Sequence, residues 1–268
     1  MIIGQTELLS YFETHSLAPL TILVGSAGSG KNIIAREIAK RAFLYELPDV
    51  RVETTRKMIA DAYSMTAPFV FLIPDADGMS SAGMNALLKL TEEPPTNASI
   101  IMTLEQTENT LATILSRAQV FQLAPYSKEE LMQFIPADTP EELKKLVPKI
   151  CETPGDVLQI LEVGIDMWSF ADKVVEHVAT ASGGNALKIS EQLALKNETD
   201  KYDFRLFLQM VRANCLARAL NTEDVDEQEK YLTGVVLTSR IVSKLRTLGI
   251  SKQFLFDKWL FEIREAWR

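Results

Sequence analysis

Cysteine is nearly absent from this chain: only Cys151 and Cys215 occur in 268 residues. Two are too few for a zinc ribbon and suit buried thiols in a reducing cytosol, so the fold is expected to need no covalent staple. Long apolar runs are missing as well. No stretch approaches the length that spans a bilayer, and Met1-Ile2-Ile3-Gly4-Gln5 lacks the charged start and apolar run of a signal peptide. The expectation is a soluble, cytoplasmic protein with no membrane partner. Without secretion, the glycosylation patterns at Asn97-Ala98-Ser99 and Asn197-Glu198-Thr199 are chance matches. Excess positive charge is lacking too: the formal net charge is −8. That opposes independent, tight binding to a nucleic-acid backbone, which rests on Lys and Arg displacing counterions. Any contact with DNA would be shared with partners.

What is present suffices for a core, since 47% of the residues are hydrophobic and the length suits about two ordinary domains. Thr21-Ile22-Leu23-Val24, Phe69-Val70-Phe71-Leu72-Ile73, Ser99-Ile100-Ile101-Met102-Thr103 and Val120-Phe121-Gln122-Leu123 are short, continuously apolar runs. With helical segments between them, they predict an α/β fold whose parallel sheet is covered by helices on both faces. Beyond Pro125 the pattern becomes helical. Ser127 with Glu130, and Thr139-Pro140 with Glu142, match the capping box, in which a hydroxyl and a carboxylate satisfy free donors at a helix start. Thr153-Pro154-Gly155-Asp156 breaks the pattern before a further apolar face. No strand is predicted from Ile165 onward. There Phe204, Phe207, Leu208, Val211 and Cys215 recur at helical spacing, Asn221 to Glu229 reads as a polar link, and Gly249 reads as a helix end. Three parts are expected: a core over 1–124, a small helical lid over 125–164, and an all-α domain over 165–268.

Gly25-Ser26-Ala27-Gly28-Ser29-Gly30-Lys31-Asn32, between a predicted strand and a predicted helix, matches the phosphate-loop pattern at seven of its eight positions. Glycines let successive N–H groups curl around phosphate oxygens, the helix start favours negative charge, and Lys31 reaches the terminal phosphates. Gly25, Gly28, Ser29, Gly30, Lys31 and Asn32 are thus candidates to bind ATP or ADP. Asn32 replaces the hydroxyl residue that holds magnesium, so weak or magnesium-poor binding is expected. A glycine-rich turn with an exposed lysine is the plain alternative.

The most specific signal lies further on. Met84-Asn85-Ala86-Leu87-Leu88-Lys89-Leu90-Thr91-Glu92-Glu93-Pro94-Pro95 is followed by Thr113-Ile114-Leu115-Ser116-Arg117. Alone, the first is an amphipathic helix with an abrupt proline stop. The pair, in this order and spacing after a phosphate loop, resembles the clamp-loader branch of the AAA+ ATPases, most closely its delta-prime type, over nearly the whole chain.

That resemblance implies a hetero-oligomeric ring, joined through the helical third domain, that works with a sliding clamp and reaches primer-template DNA through the assembly. Counting back from Asn85 puts Pro74 at the family's magnesium-side aspartate and Asp75 at its water-activating glutamate. A slip of one residue would make Asp75 the metal-side group and leave Ala76 in the other role. Either way one function is lost, so little or no intrinsic ATP hydrolysis is expected, with no protein metal site. Thr103 falls at the family's sensor position at a strand end. Asp156 stands where active members carry a lid arginine, and a carboxylate beside a triphosphate would repel it. In the family four zinc-binding cysteines usually follow the first helix; here Phe43-Leu44-Tyr45-Glu46-Leu47-Pro48 follows it with none, so the zinc module is expected to be absent. Ser116-Arg117 survives, and in the family this arginine acts in trans, on the neighbouring subunit's ATP. Two other readings stay open: an active AAA+ ATPase with an unusual site built from Lys31, Asn32 and Asp75, and a small phosphate-loop kinase.

Overall fold

The computed structural model of the chain describes residues 2–178, 188–191, 203–245 and 251–267. The expectations at Gly249 and at Asn197-Glu198-Thr199 lie outside the described residues. By their contacts the residues divide into two compact units, Met1–Glu130 with Thr153–Gly155, and Leu131–Glu152 with Asp156–Arg268.

The first unit is built on five parallel strands: β1 (Leu20–Val24), β2 (Phe43–Glu46), β3 (Phe69–Ile73), β4 (Ala98–Leu104) and β5 (Gln119–Gln122), in the order β2-β3-β4-β1-β5. Every residue of β1 is buried, as expected of a central parallel strand covered on both sides. Side chains alternate between two cores. Leu20, Ile22, Phe71, Ile73, Ile100 and Met102 face one, and Leu23, Val70, Leu72 and Ile101 face the other. The second core is covered by α1 (Thr6–Thr14) and α2 (Lys31–Ala39), the first by α3 (Val52–Ser64), α4 (Ser81–Glu92) and the short α5 (Ala112–Leu115). Fully buried Leu87 and Leu90 of α4 each contribute about 1.5–3 kcal/mol by leaving water. Ser80 caps the start of α4 by accepting from the Gly83 N–H at 3.2 Å.

Strand β2 was not foreseen. It is four residues long, sits at the sheet edge and leaves all four exposed, so its run of apolar residues carries no burial pattern. At the other end of the unit, the first capping box forms as read: Ser127 N–H donates to Glu130 at 2.8 Å, and Glu130 N–H to the Ser127 hydroxyl at 3.1 Å, opening α6 (Lys128–Met132).

The second unit is helical throughout its described residues: α7 (Glu141–Ile150), α8 (Pro154–Val163, whose first residues belong to the other unit), α9 (Ile165–His177), α10 (Phe204–Asn221), α11 (Val225–Lys244) and α12 (Lys252–Ala266). Here two sequence expectations are corrected. Thr139 does not cap α7; Pro140 takes the capping position, at φ −54° and ψ +139°, with no side-chain bond. The link between α10 and α11 is Thr222 to Asp224, far shorter than Asn221–Glu229. Asp224 accepts from the N–H groups of Asp226 and Glu227, and those two acids suit the positive end of a helix. Phe207, Phe256 and Trp259 form the centre of this unit, and the buried Trp259 indole donates to the Thr238 hydroxyl at 2.9 Å.

Candidate functional site

In a parallel sheet the loops after the strands gather at one edge, and the phosphate loop lies there, between β1 and α2. Gly28 and Gly30 turn it with φ of +77° and +81°, values that side chains resist. The Tyr126 hydroxyl donates to the Ser29 carbonyl at 2.9 Å and braces the loop from behind. Tyr126 is itself set by its neighbourhood: the Gln5 side chain both donates to the Ala124 carbonyl at 2.7 Å and accepts from the Ala124 N–H at 3.0 Å. Burial, the main influence, raises the Tyr126 phenol above its ordinary range. Neither Gln5 nor Tyr126 was foreseen, because no local pattern links residues 97 and 119 positions apart.

Two further contacts close the loop. Gly155, in the first turn of α8, donates its N–H to the Gly28 carbonyl at 2.9 Å. The backbones touch so closely that a Cβ on Gly155 would stand 2.5 Å from the Gly28 Cα. On the sheet side, Lys31 is 7% exposed in its side chain, and its ammonium meets Asp75 at 3.1 Å. Asp75 also accepts from the Asn32 amide at 2.9 Å; the Asn32 oxygen accepts from the Thr103 hydroxyl at 2.6 Å; and the Thr103 oxygen accepts from the Asp75 N–H at 2.9 Å. Lys31, Asn32, Asp75 and Thr103 are therefore one closed network. Asp75 holds a left-handed backbone, φ +46° and ψ +50°, to reach it.

This geometry tests whether the nucleotide and its metal fit. The fully buried Ala76 supplies no polar group, and Pro74 has no side-chain oxygen. The Asn32 oxygen is already bonded to Thr103 and its NH₂ faces the carboxylate, so the arrangement does not suit a divalent cation. Among the described residues there is no group of three His, Cys, Asp or Glu side chains placed to hold a metal. An anion fits better: the glycines leave room, helix-start N–H groups have no intrahelical acceptor, and the buried Ser29 hydroxyl has no partner among the described residues. Yet Asp75 already supplies the negative charge that Lys31 would offer to a phosphate.

Asp156 does not act as expected. Its carboxylate is fully buried, ion-paired with Arg205 and accepting from the Glu152 N–H at 3.0 Å, so it presents no charge to a ligand.

Arg117 lies elsewhere. It precedes β5, and β5 is in register with β1 from Thr21 opposite Gln119 to Val24 opposite Gln122. Gly25 is four residues beyond the level of Gln119, about 13 Å at the usual rise per residue, while Arg117 is two residues before it. The arginine is thus at the opposite edge of the sheet from its own phosphate loop. Its guanidinium donates to the Thr113 carbonyl at 3.1 Å and pairs with Glu92 at 3.3 Å.

The sheet, loop and flanking helices define an AAA+ fold of clamp-loader type. A family model described as "DNA polymerase III, delta subunit" matches residues 48–127. The chain is 31% identical over 129 residues to the DNA polymerase III subunit gamma/tau of Mycobacterium tuberculosis, covering 46% of this chain and 18% of that protein. It is 27% identical over 117 residues to the delta′ subunit of Haemophilus influenzae, covering 42% and 36%. A crystal structure of a gamma subunit-related protein from Thermotoga maritima aligns over 98% of this chain and 99% of its own, with a TM-score of 0.50 and 18% identity, which speaks to fold alone. The matches thus span well under two thirds of these curated relatives. Family model, relatives and fold agree with the motifs in one likeness, to the clamp-loader subunits of DNA polymerase III. No described helix is long and apolar enough to cross a membrane.

Proposed function

We propose that this chain is a delta-prime-like clamp-loader subunit in DNA replication, largely non-catalytic, that donates Arg117 to the ATP site of a neighbouring subunit. Its partners are the other subunits of a ring, joined through the C-terminal part over 165–268, and the assembly acts on a sliding clamp and primer-template DNA. In this reading residues 1–124 are the core and residues 125–164 the lid.

The observation that carries this reading is the separation of Arg117 from its own phosphate loop. An exposed arginine at the opposite sheet edge has no task in this chain's nucleotide site, whereas a planar cation offered to a neighbour's phosphates stabilises charge in phosphoryl transfer. The closed network of Lys31, Asn32, Asp75 and Thr103 supports the other half: the cation and carboxylate that would work on a nucleotide are bonded to each other. Should nucleotide bind, Lys31, the loop N–H groups and Ser29 would hold its phosphates.

The test is co-purification of the chain with the ATPase subunit of the same replication system, followed by turnover of the complex. Arg117→Ala is expected to lower DNA-stimulated ATP turnover at least about tenfold, a floor well below the roughly 10³- to 10⁵-fold that such an arginine contributes at a single site. An unchanged rate in a verified complex contradicts the proposal.

A further inference from the structure

We infer that Glu92 is a positioning residue for Arg117, holding the guanidinium in one orientation at the surface and releasing it to a neighbour's phosphate. The inference rests on the trans role proposed for Arg117. Three observations lead to it.

Glu92 is first of all in the wrong place for its own helix. It is the last residue of α4, followed by Glu93 at the cap. The negative end of a helix disfavours acids, so two carboxylates there conflict with local preference. Such a conflict calls for a reason elsewhere in the fold. The reason present is Arg117, whose guanidinium the Glu92 carboxylate meets at 3.3 Å.

Both supports are also fixed. The Tyr63 hydroxyl is bonded to the Glu93 carbonyl at 2.9 Å and reaches the Lys89 carbonyl at 3.4 Å, tying down the end of α4 just before Pro94-Pro95 stops it. On the other side, the turn after α5 is closed by Arg117 N–H and Ala118 N–H donating to the Ile114 carbonyl at 3.1 and 3.0 Å, with Ile114 fully buried. Arg117 thus spans two anchored elements, through Glu92 on α4 and the Thr113 carbonyl on α5. The two motifs that make this sequence distinctive are joined physically by this pair.

Finally, the pair is weak enough to open. The arginine is 39% exposed and the glutamate 56%, where ion pairs contribute little and a multiply charged phosphate outcompetes a single carboxylate. A pair of this kind restricts the freedom of a long side chain without trapping it.

The experiment uses the complex of full-length chain and its ATPase subunit, with Glu92→Ala, Glu92→Gln, Arg117→Ala and the double variant Glu92→Ala/Arg117→Ala. Glu92→Ala should lower kcat about two- to fivefold with KM for ATP unchanged, the range set by an exposed pair. Glu92→Gln, which keeps an oxygen acceptor, should restore most of the rate. In the Arg117→Ala background, Glu92→Ala should change nothing further, because it acts only through the arginine. The partner-free readout is ¹⁵N relaxation of the Arg117 Nε–Hε group in the isolated chain, which should show a more mobile side chain in Glu92→Ala. A Glu92→Ala variant that is neutral or faster while Arg117→Ala is impaired overturns the positioning role alone. The same holds for a loss that persists without Arg117, or unchanged Arg117 relaxation. If Arg117→Ala itself has no effect, the trans role fails and the positioning role falls with it.

Discussion

Replacing Asp75 by Asn removes the carboxylate that pairs with Lys31 and leaves the rest of the network able to form. Asn tolerates the left-handed backbone of this position, and its oxygen can still accept from the Asn32 amide. What changes is charge. The Lys31 ammonium, 7% exposed, loses a counter-ion 3.1 Å away. A fully buried pair would make that loss cost several kcal/mol, but Asp75 is 60% exposed, and water screens its attraction. The remaining effect is about 1–1.5 kcal/mol, which a phosphate bound in place of the carboxylate recovers. Affinity for ATP should therefore rise about tenfold. Isothermal titration of wild type and Asp75→Asn with ATP in the presence of EDTA measures this directly. Adding magnesium should not strengthen either, and Lys31→Ala in the Asp75→Asn background should remove the gain. Equal or weaker binding by Asp75→Asn, or binding that requires magnesium, refutes the view of Asp75 as an internal substitute for phosphate.

Gly155→Ala should destabilise the first unit by about 1–3 kcal/mol, because a methyl group 2.5 Å from the Gly28 Cα is a backbone clash that outweighs the helix propensity gained. A lower urea midpoint checks it, and an unchanged midpoint contradicts it. The two thiols should be inert in the native chain: burial pushes Cys215 up from 9.0 to about 12 and raises Cys151 as well, the latter helped by the charge of Asp156. Neither should react with a thiol reagent at pH 8 until urea is added, and rapid labelling of the native chain is the contrary result. The sign for stability follows: a folded-state pKa above the unfolded one means the contribution is complete below about pH 9 and is lost as pH rises towards 12.

Much of the fold was legible because it is local. Continuous apolar runs gave β1, β3, β4 and β5 to within a residue or two, and the capping box at Ser127 and Glu130 formed because both partners lie within one helical turn. Strand β2 was missed since its exposed edge position imposes no pattern, and Thr139 misled because Pro140 takes the cap in its place. The loop glycines, Lys31, Asn32, Asp75 and Thr103 were named from motif and spacing, and the fold brings them together. Their closure into a network was not legible, since it joins residues 28 to 71 positions apart. Asp156 shows the opposite failure: a motif position predicted a repelling charge, while the fold supplies Arg205 to neutralise it.

The central claim is that this chain assists a neighbour's chemistry and performs none of its own. It is tested most directly by ATP turnover with magnesium, for the purified chain and for the complex, each with and without Lys31→Ala. The expected result is no turnover by the isolated chain above background, and a complex whose rate is unaltered by Lys31→Ala in this subunit. Turnover by the isolated chain that Lys31→Ala abolishes would contradict it and establish an active ATPase.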